Sequence, residues 1–580
     1  MTPEDTALHL YQMGRADLAA RFNAEHQLVA NRFLPGRHQP HPSIWYAGCL
    51  LREDASPGAE RIIAAALDLQ ERRQADPHRG NFWWHKEEGV VIDMNACQFV
   101  LEALIALPHE RLSPAMRERI AEAAALAFAE AERLDVHWTY TNIALLDIHN
   151  RILGGELWGR SDVSKQGIAR LRDWADRTRE VGAPHEFNSA TYAAVDLNCL
   201  ADIASHSSSD EARALALEME QLVWRHVAKY WHVPTRQLGG PHSRSYRRDV
   251  VGAPGFLKVV LYRVLGDEAL LAKTPYYDGP DTEGEVIVSE IDYHPPDDAL
   301  EMLTTPATRD ICERVAMEPE TEAVARVTPE FSLGTMSRSY GVGSPPEPWP
   351  AFDSCIAYWH RDEPPGYGVL YCRYRVNAGP VGQPSRDAVP KWLDIWDEGL
   401  FRAAQNGGRA IVAYGIPPRG QRPIDSWRLD IRLLGREAPA VRIGAGAWLG
   451  DRTDLAAGDR MIVADGDVYI GIVPLVPTYL GHTPPMTLWR DGDETVLSIV
   501  NYEGPPKQFW EYRSLTGPFW KGNVRNGFAL WIAPRSEFAS ADEFRTALTK
   551  APLLDETVDG LRTITFGDLR LEYDLRAMWP

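Results

Sequence analysis

Three segments of the chain carry residue types that move protons and hold anions. The first, TYTNIALLDIHNRILGGELWG over 139–159, places Asn142 and His149 seven residues apart. At about 100° per residue this spacing puts both on one helix face, two turns apart, where they can line one groove. The second, HEFNSATYAAVDLNCL over 185–200, contains Glu186 and reads as a helix start with Asn188 or Ser189 as N-cap. Tyr192 then falls in the first turn, where the partial positive charge of the helix end favours a phenolate, lowers the phenol's pKa and suits proton transfer. The third, HVPTRQLGGPHSRSYRRDVVGAPG over 232–255, is a Gly/Pro-rich loop with Arg236, Arg244, Arg247 and Arg248 against Asp249 alone. Guanidinium forks match carboxylates, so Arg244 and Arg247 are candidates to grip an acidic ligand, with His242 and Tyr246 beside them.

A further stretch, GNFWWHKEEGVVIDMNACQF over 80–99, sets Trp83, Trp84, His85, Glu87 and Glu88 ahead of a helix with Asp93 and Asn95. Flat aromatics beside hydrogen-bonding groups describe a sugar subsite, and they equally describe a packed loop. Arg338, His360 and Asn406 are the residues of the second half placed to border a cleft. There is no HExxH, no Cys/His ligand spacing, no GxGxxG and no Walker A pattern, so neither a metal nor a nucleotide cofactor is expected. The net charge of −20 is spread along the chain, which disfavours nucleic acid and anionic membranes as partners. No apolar run of 18 residues reads as a membrane span, and the six cysteines, without a CxxC pair, read as buried free thiols. The polar, amphipathic N-terminus predicts a cytoplasmic protein, or a secreted or periplasmic one if a leader has been removed. Nothing in the pattern sets an oligomeric state.

These residues need elements to position them, and 580 residues exceed one hydrophobic core. Apolar residues at i, i+3, i+4 and i+7 predict helices over 5–33, 57–75, 92–107, 113–133, 138–155, 162–180, 189–206 and 208–228. Short links between them favour a closed ring of antiparallel helical hairpins. Beyond about residue 325 the period falls to two, in runs such as GYGVLYCRYRV, WRLDIRLLG and DVYIGIVPLV, which predicts antiparallel strands in two packed sheets. The apolar rhythm lapses between Thr304 and Pro329. The fold class is therefore α+β multidomain: an N-terminal (α/α) toroid over 1–325, carrying the catalytic residues, then an antiparallel β-sandwich over 326–580.

An Asn on an inner helix followed about 50 residues later by E-x-x-S-x-x-Y at a helix start resembles the heparinase II/III and oligoalginate lyase group of polysaccharide lyases. In that group an (α/α) toroid precedes a β-sandwich. By position Asn142 resembles the Asn that neutralises the substrate carboxylate, and Tyr192, in Glu186-Phe187-Asn188-Ser189-Ala190-Thr191-Tyr192, resembles the Tyr acid/base; Ile143 stands where many members have His. The resemblance implies β-elimination at a 4-linked uronic acid of an oligo- or polysaccharide, giving an unsaturated uronate. The C5 proton is barely acidic until the neighbouring carboxylate is neutralised, so such a site needs a neutraliser, a base and an acid for the departing oxygen. The implied assignment makes Asn142 the neutraliser, Tyr192 the proton donor, and His242 the base with Tyr246 as its substitute. Substrate binding falls to Arg244, Arg247, Trp83, Trp84, His149, Glu186, Asn188 and Arg338. The alternative is an inverting glycoside hydrolase on the same toroid, which needs two carboxyls about 6.5–9.5 Å apart, drawn from Glu87 or Glu88 and Glu186. A sugar-binding protein without catalysis would rely on the tryptophans.

Overall fold

In this computed structural model the described residues are 2–280, 284–317, 320–342, 349–350, 353–383, 397–415, 423–435, 440–444, 446–450, 452–456, 458–478, 480, 486–508, 511 and 525–575. Helices occupy the chain as far as residue 304. They are α1 (Pro3–Arg21), α2 (Pro40–Arg52), α3 (Ser56–Leu67), α4 (Ala96–Ile105), α5 (Pro114–Leu134), α6 (Thr141–His149), α7 (Gly155–Leu157), α8 (Ser161–Val181), α9 (Tyr192–His206), α10 (Asp210–Tyr230), α11 (Arg247–Val250), α12 (Phe256–Leu265), α13 (Glu285–Glu290) and α14 (Asp297–Thr304). Their starts follow capping chemistry: Thr2, Ser113 and Ser209 each accept a backbone N–H three residues on with the side-chain oxygen. Gly182, at φ 93°, ends α8 in the left-handed region.

The helices close into a ring. Helix α1 packs on α2, α2 on α4, α4 on α6, α6 on α9 and α9 on α12, which returns to α1; α3, α5, α8, α10 and α13 form a second layer against them. Burial tells the layers apart, because α6 is buried at all nine positions and α9 from Ala193 to Ala201, whereas α8 keeps an exposed face.

Several helices differ from the sequence expectation: α3 ends at Leu67 instead of 75, and the helix expected over 138–155 is divided into α6, a π-helical turn over Asn150–Gly154 and α7. Helix α1 stops at Arg21 instead of running to 33, because Phe22 turns extended (φ −67°, ψ 126°) and pairs with Leu28–Ala30, to which His38–Gln39 adds a third strand. Helix α2 was not expected: Pro40 and Pro42 look like breakers, yet proline in a first turn forfeits no helical hydrogen bond.

The nine-stranded antiparallel sheet runs in the order Thr453–Leu455, Met486–Asp491, Glu494–Lys507, Ile424–Leu434, Tyr367–Val376, Cys355–His360, Phe331–Met336, Glu320–Val327, Arg309–Met317. The seven-stranded sheet runs Leu400–Asn406, Arg409–Gly415, Asn526–Pro534, Val468–Pro474, Met461–Asp465, Ala440–Ile443, Gly446–Ala447. A three-stranded sheet over 553–574 and α15 (Ala541–Lys550) pack on the second sheet. The strands of the two large sheets therefore begin at Arg309, inside the range expected to be toroid. In Glu320–Val327 the outward residues include Glu320, Glu322 and Arg326, and these charges interrupt the apolar rhythm there.

Leu333, Trp359, Leu370 and Leu429 of the larger sheet meet Val412, Ile470 and Leu530 of the smaller in one core. The alternate residues, Ile356, Tyr358, Val369 and Tyr371, point the other way and meet Val250, Val251 and Tyr276 of the helical half. That second burial seats the sheet against the loop that carries Tyr246 and its neighbours. Among the described residues no helix is long and apolar enough to cross a membrane. Five cysteines are buried and Cys312 is exposed.

Candidate active site

The N-terminus of α6, the segment before α9 and the 242–250 loop converge at one end of the ring. The Glu186 carboxylate caps α6, accepting from the Asn142 backbone N–H at 2.9 Å and from its Nδ2 at 2.5 Å. Thr141 Oγ1 in turn accepts from the Glu186 N–H at 3.0 Å. The other Glu186 oxygen accepts from Arg244 Nη1 at 3.2 Å. Burial pushes the Glu186 carboxyl up, while Arg244 and the two Asn142 donors pull it back.

The Arg244 guanidinium lies 4.4 Å from the Tyr192 ring centre and 5.6 Å from that of Tyr140. The Tyr192 and Tyr246 hydroxyls are 2.5 Å apart. Arg248 stands 5.4 Å from the Tyr246 ring and 5.6 Å from Phe33, and Asn95 Nδ2 donates to Tyr140 Oη at 3.2 Å. Asp249 fixes the loop by accepting from the Tyr246 N–H at 2.8 Å and from Thr191 Oγ1 at 3.0 Å.

Of the residues singled out from sequence, Asn142, Glu186, Tyr192, Arg244 and Tyr246 thus lie together. Asn142 is fully buried, and its backbone N–H and its Nδ2 both donate to Glu186. Tyr192 does begin α9, and Ser189 Oγ accepts its N–H at 3.3 Å, but burial pushes the phenol well above its ordinary value despite the Arg244 charge. Desolvation of the ring outweighs the helix end. Asn188 adopts φ 50° and donates through Nδ2 to the Gly239 and Pro241 carbonyls at 2.7 Å each, tying down the loop that leads to Arg244.

Other candidates lie elsewhere. His149 sits at the far end of α6, bonded to Asp202 at 2.7 Å, on a different cavity of about 540 Å³ lined also by Glu102, His206 and Glu290. Seven helical residues rise by about 10 Å, so sharing a face with Asn142 does not mean sharing an end. His242 is buried, its Nε2 on the Leu238 carbonyl at 3.0 Å and its N–H on the Asp353 carbonyl, and among the described residues it makes no hydrogen bond to either tyrosine. Arg247 reaches the sheet, where it binds Tyr371 Oη and Glu494. Trp83 packs into the core of the first helices, and Trp84 lies between His41 and Phe99, at 4.9 and 5.4 Å between ring centres. Arg338 bridges Arg402 in the β half, Asn406 ends the strand Leu400–Asn406, and His360 pairs with Asp467 at 2.7 Å.

Tyr140 was not singled out, although it directly precedes Thr141 and Asn142 at the N-cap of α6. Nor did spacing reveal a metal-capable group, yet the fold brings His26, His38 and Glu87 within 4.8 Å of one another. Glu87 already binds His38 Nδ1 at 2.7 Å, and Lys86 Nζ is 2.9 Å from His26 Nδ1, so two imidazole nitrogens of this group are engaged within the protein.

A family profile described as a domain of unknown function, DUF8769, matches residues 10–283, within the helical half. No curated protein matches the chain. Among solved structures it is similar to heparinase III, with 11% identity over 92% of this chain and 82% of that one and a TM-score of 0.42. It is similar also to the chondroitin AC lyase of Streptomyces coelicolor A3 in complex with chondroitin sulphate, at 11% identity, 97% and 83% coverage and a TM-score of 0.43. For the heparan sulfate lyase HepC from Pedobacter heparinus the values are 9%, 99%, 95% and 0.31.

Proposed function

We propose that the chain is a lyase that cleaves a 4-linked uronic acid in an oligo- or polysaccharide by β-elimination. The observation that carries this reading is the pair of phenolic hydroxyls 2.5 Å apart, with a guanidinium 4.4 Å from the Tyr192 ring. Such a pair can take and give a proton within one sugar ring's reach, and the adjacent cation suits the carboxylate whose charge must be neutralised. Arg244 takes the neutralising role, held by Glu186, which Asn142 holds in turn. Asn142 and Glu186 are positioning residues.

The reaction needs Tyr246 as the base that removes the C5 proton, with the Arg248 guanidinium 5.4 Å from its ring. The C5–H electrons form the C4–C5 double bond as the C4–O4 bond breaks, and Tyr192, kept as a phenol by burial, protonates O4. The proton gained by Tyr246 then crosses to Tyr192 through their shared hydrogen bond, restoring both groups. No water is consumed. A hydrolase would need free carboxyls, and the candidates are engaged: Glu186 by Asn142 and Arg244, Glu87 by His38, and Glu88 by His85. The test is a near-UV absorbance screen of 4-linked glucuronate, mannuronate and iduronate glycans. Growth of an absorbing unsaturated product is expected with at least one of them, and new reducing ends without absorbance would overturn the reading.

A further inference from the structure

Away from this cleft, a second cavity of about 480 Å³ opens between the helical half and the larger sheet. Its wall carries Arg236, Lys258, Lys273 and Arg361 against a single carboxylate, Asp362, among the described residues. This cationic wall stands in a chain whose net charge is −20. Arg361 is 5% exposed, and although its Nε lies 3.4 Å from Asp465, its Nη1 is buried without a hydrogen-bond partner. A buried guanidinium N–H with nothing to donate to is costly, and an arriving anion would recover that cost. Lys258 donates to a neutral group, the Gly252 carbonyl at 2.8 Å. Burial pulls its ammonium down to about 7 against the opposing charge of Asp249. Arg236 is paired with a carboxylate outside the wall, Asp267 at 2.5 Å.

We propose that this cavity binds a phosphate monoester of about the size of a monosaccharide. A phosphate dianion offers acceptors for both Arg361 Nη1 and Lys258 Nζ, and Gln237, Thr235 and Thr274 line the same wall. The volume is in the range of small-ligand sites. The site is distinct from the cleft, although Gly252 on its wall follows Tyr246 by six residues on one loop. Sulfate monoesters share part of this chemistry, with one charge fewer.

Isothermal titration of the full chain with glucose 6-phosphate, glucose 6-sulfate and glucose tests the proposal, and needs no turnover, so it stands apart from the lyase reading. Saturable binding of glucose 6-phosphate with a Kd of about 1 mM or tighter is expected, with no detectable binding of glucose. Lys258→Met, which keeps the alkyl stem, weakens that binding about tenfold or more, as does Arg361→Met provided its circular dichroism spectrum is that of the parent. Binding of glucose 6-sulfate alone would overturn the assignment to a phosphate. Absence of saturable binding by either ester, or unchanged binding by folded Lys258→Met, would overturn the site.

Discussion

Arg244 owes its place to a carboxylate 58 residues earlier in the chain, and that dependence makes Glu186 the point at which the cleft is most easily broken. Glu186→Gln leaves a largely buried guanidinium without its counter-charge, and breaking such a pair costs about 3–5 kcal/mol. Urea denaturation should show that loss together with weaker binding of uronate oligosaccharides; a variant as stable as the parent would mean that Arg244 finds another anion. Tyr192→Phe asks a different question, because it keeps the ring beneath Arg244 and deletes the hydroxyl. Turnover should fall by about 10²–10⁴-fold while oligosaccharide binding persists. Near-normal elimination would remove Tyr192 from the chemistry. At this scale the sequence was informative about residue types and silent about order. Asn142, Glu186, Tyr192 and Arg244 all stood out, yet only the fold reveals that Asn142 lies beneath Glu186 and that burial reverses the expected shift of Tyr192.

Helices α6 and α9 are joined at their far ends by His149 and Asp202, and this pair makes stability depend on pH. Burial opposes protonation of His149, but the hydrogen bond and charge of Asp202 prevail and hold its pKa above the ordinary value, while His149 and His206 hold Asp202 below the carboxylate range. A histidine raised in the folded state contributes stability fully below its unfolded pKa of about 6.5 and loses it as pH rises through the folded value. The cost of His149→Gln, read from urea midpoints, should therefore be greatest near pH 6 and shrink toward pH 9. A gap that stays constant across that range would show that the imidazole is neutral throughout. The elements themselves were largely legible, since α4, α5, α8, α9 and α10 fall within their expected ranges to a few residues. What escaped was either a helix that no expected range covers, α2, which opens on prolines, or a pairing that no local pattern carries, as with His26, His38 and Glu87.

The two halves of the molecule meet through charge as well as apolar surface. Arg247 from the helical half and Arg432 from the larger sheet share Glu494, whose carboxyl burial would raise but the two guanidiniums hold far down. Glu494→Gln should therefore loosen the junction by about 3–5 kcal/mol. Followed by tryptophan fluorescence and far-ultraviolet circular dichroism together, its unfolding should split into two transitions where the parent shows one. Coincident transitions in the variant would place the cooperativity in the apolar contacts instead. Those contacts have a further consequence. Because Ile356, Tyr358, Val369 and Tyr371 are covered by Val250, Val251 and Tyr276, a fragment starting at residue 309 would show water an apolar stripe that the intact chain conceals. Such a fragment should aggregate, so in the history of this architecture the helical ring and the sheet that seats it are heritable as a matched pair: a recombination crossover between them would be tolerated only where both sides of that stripe changed together.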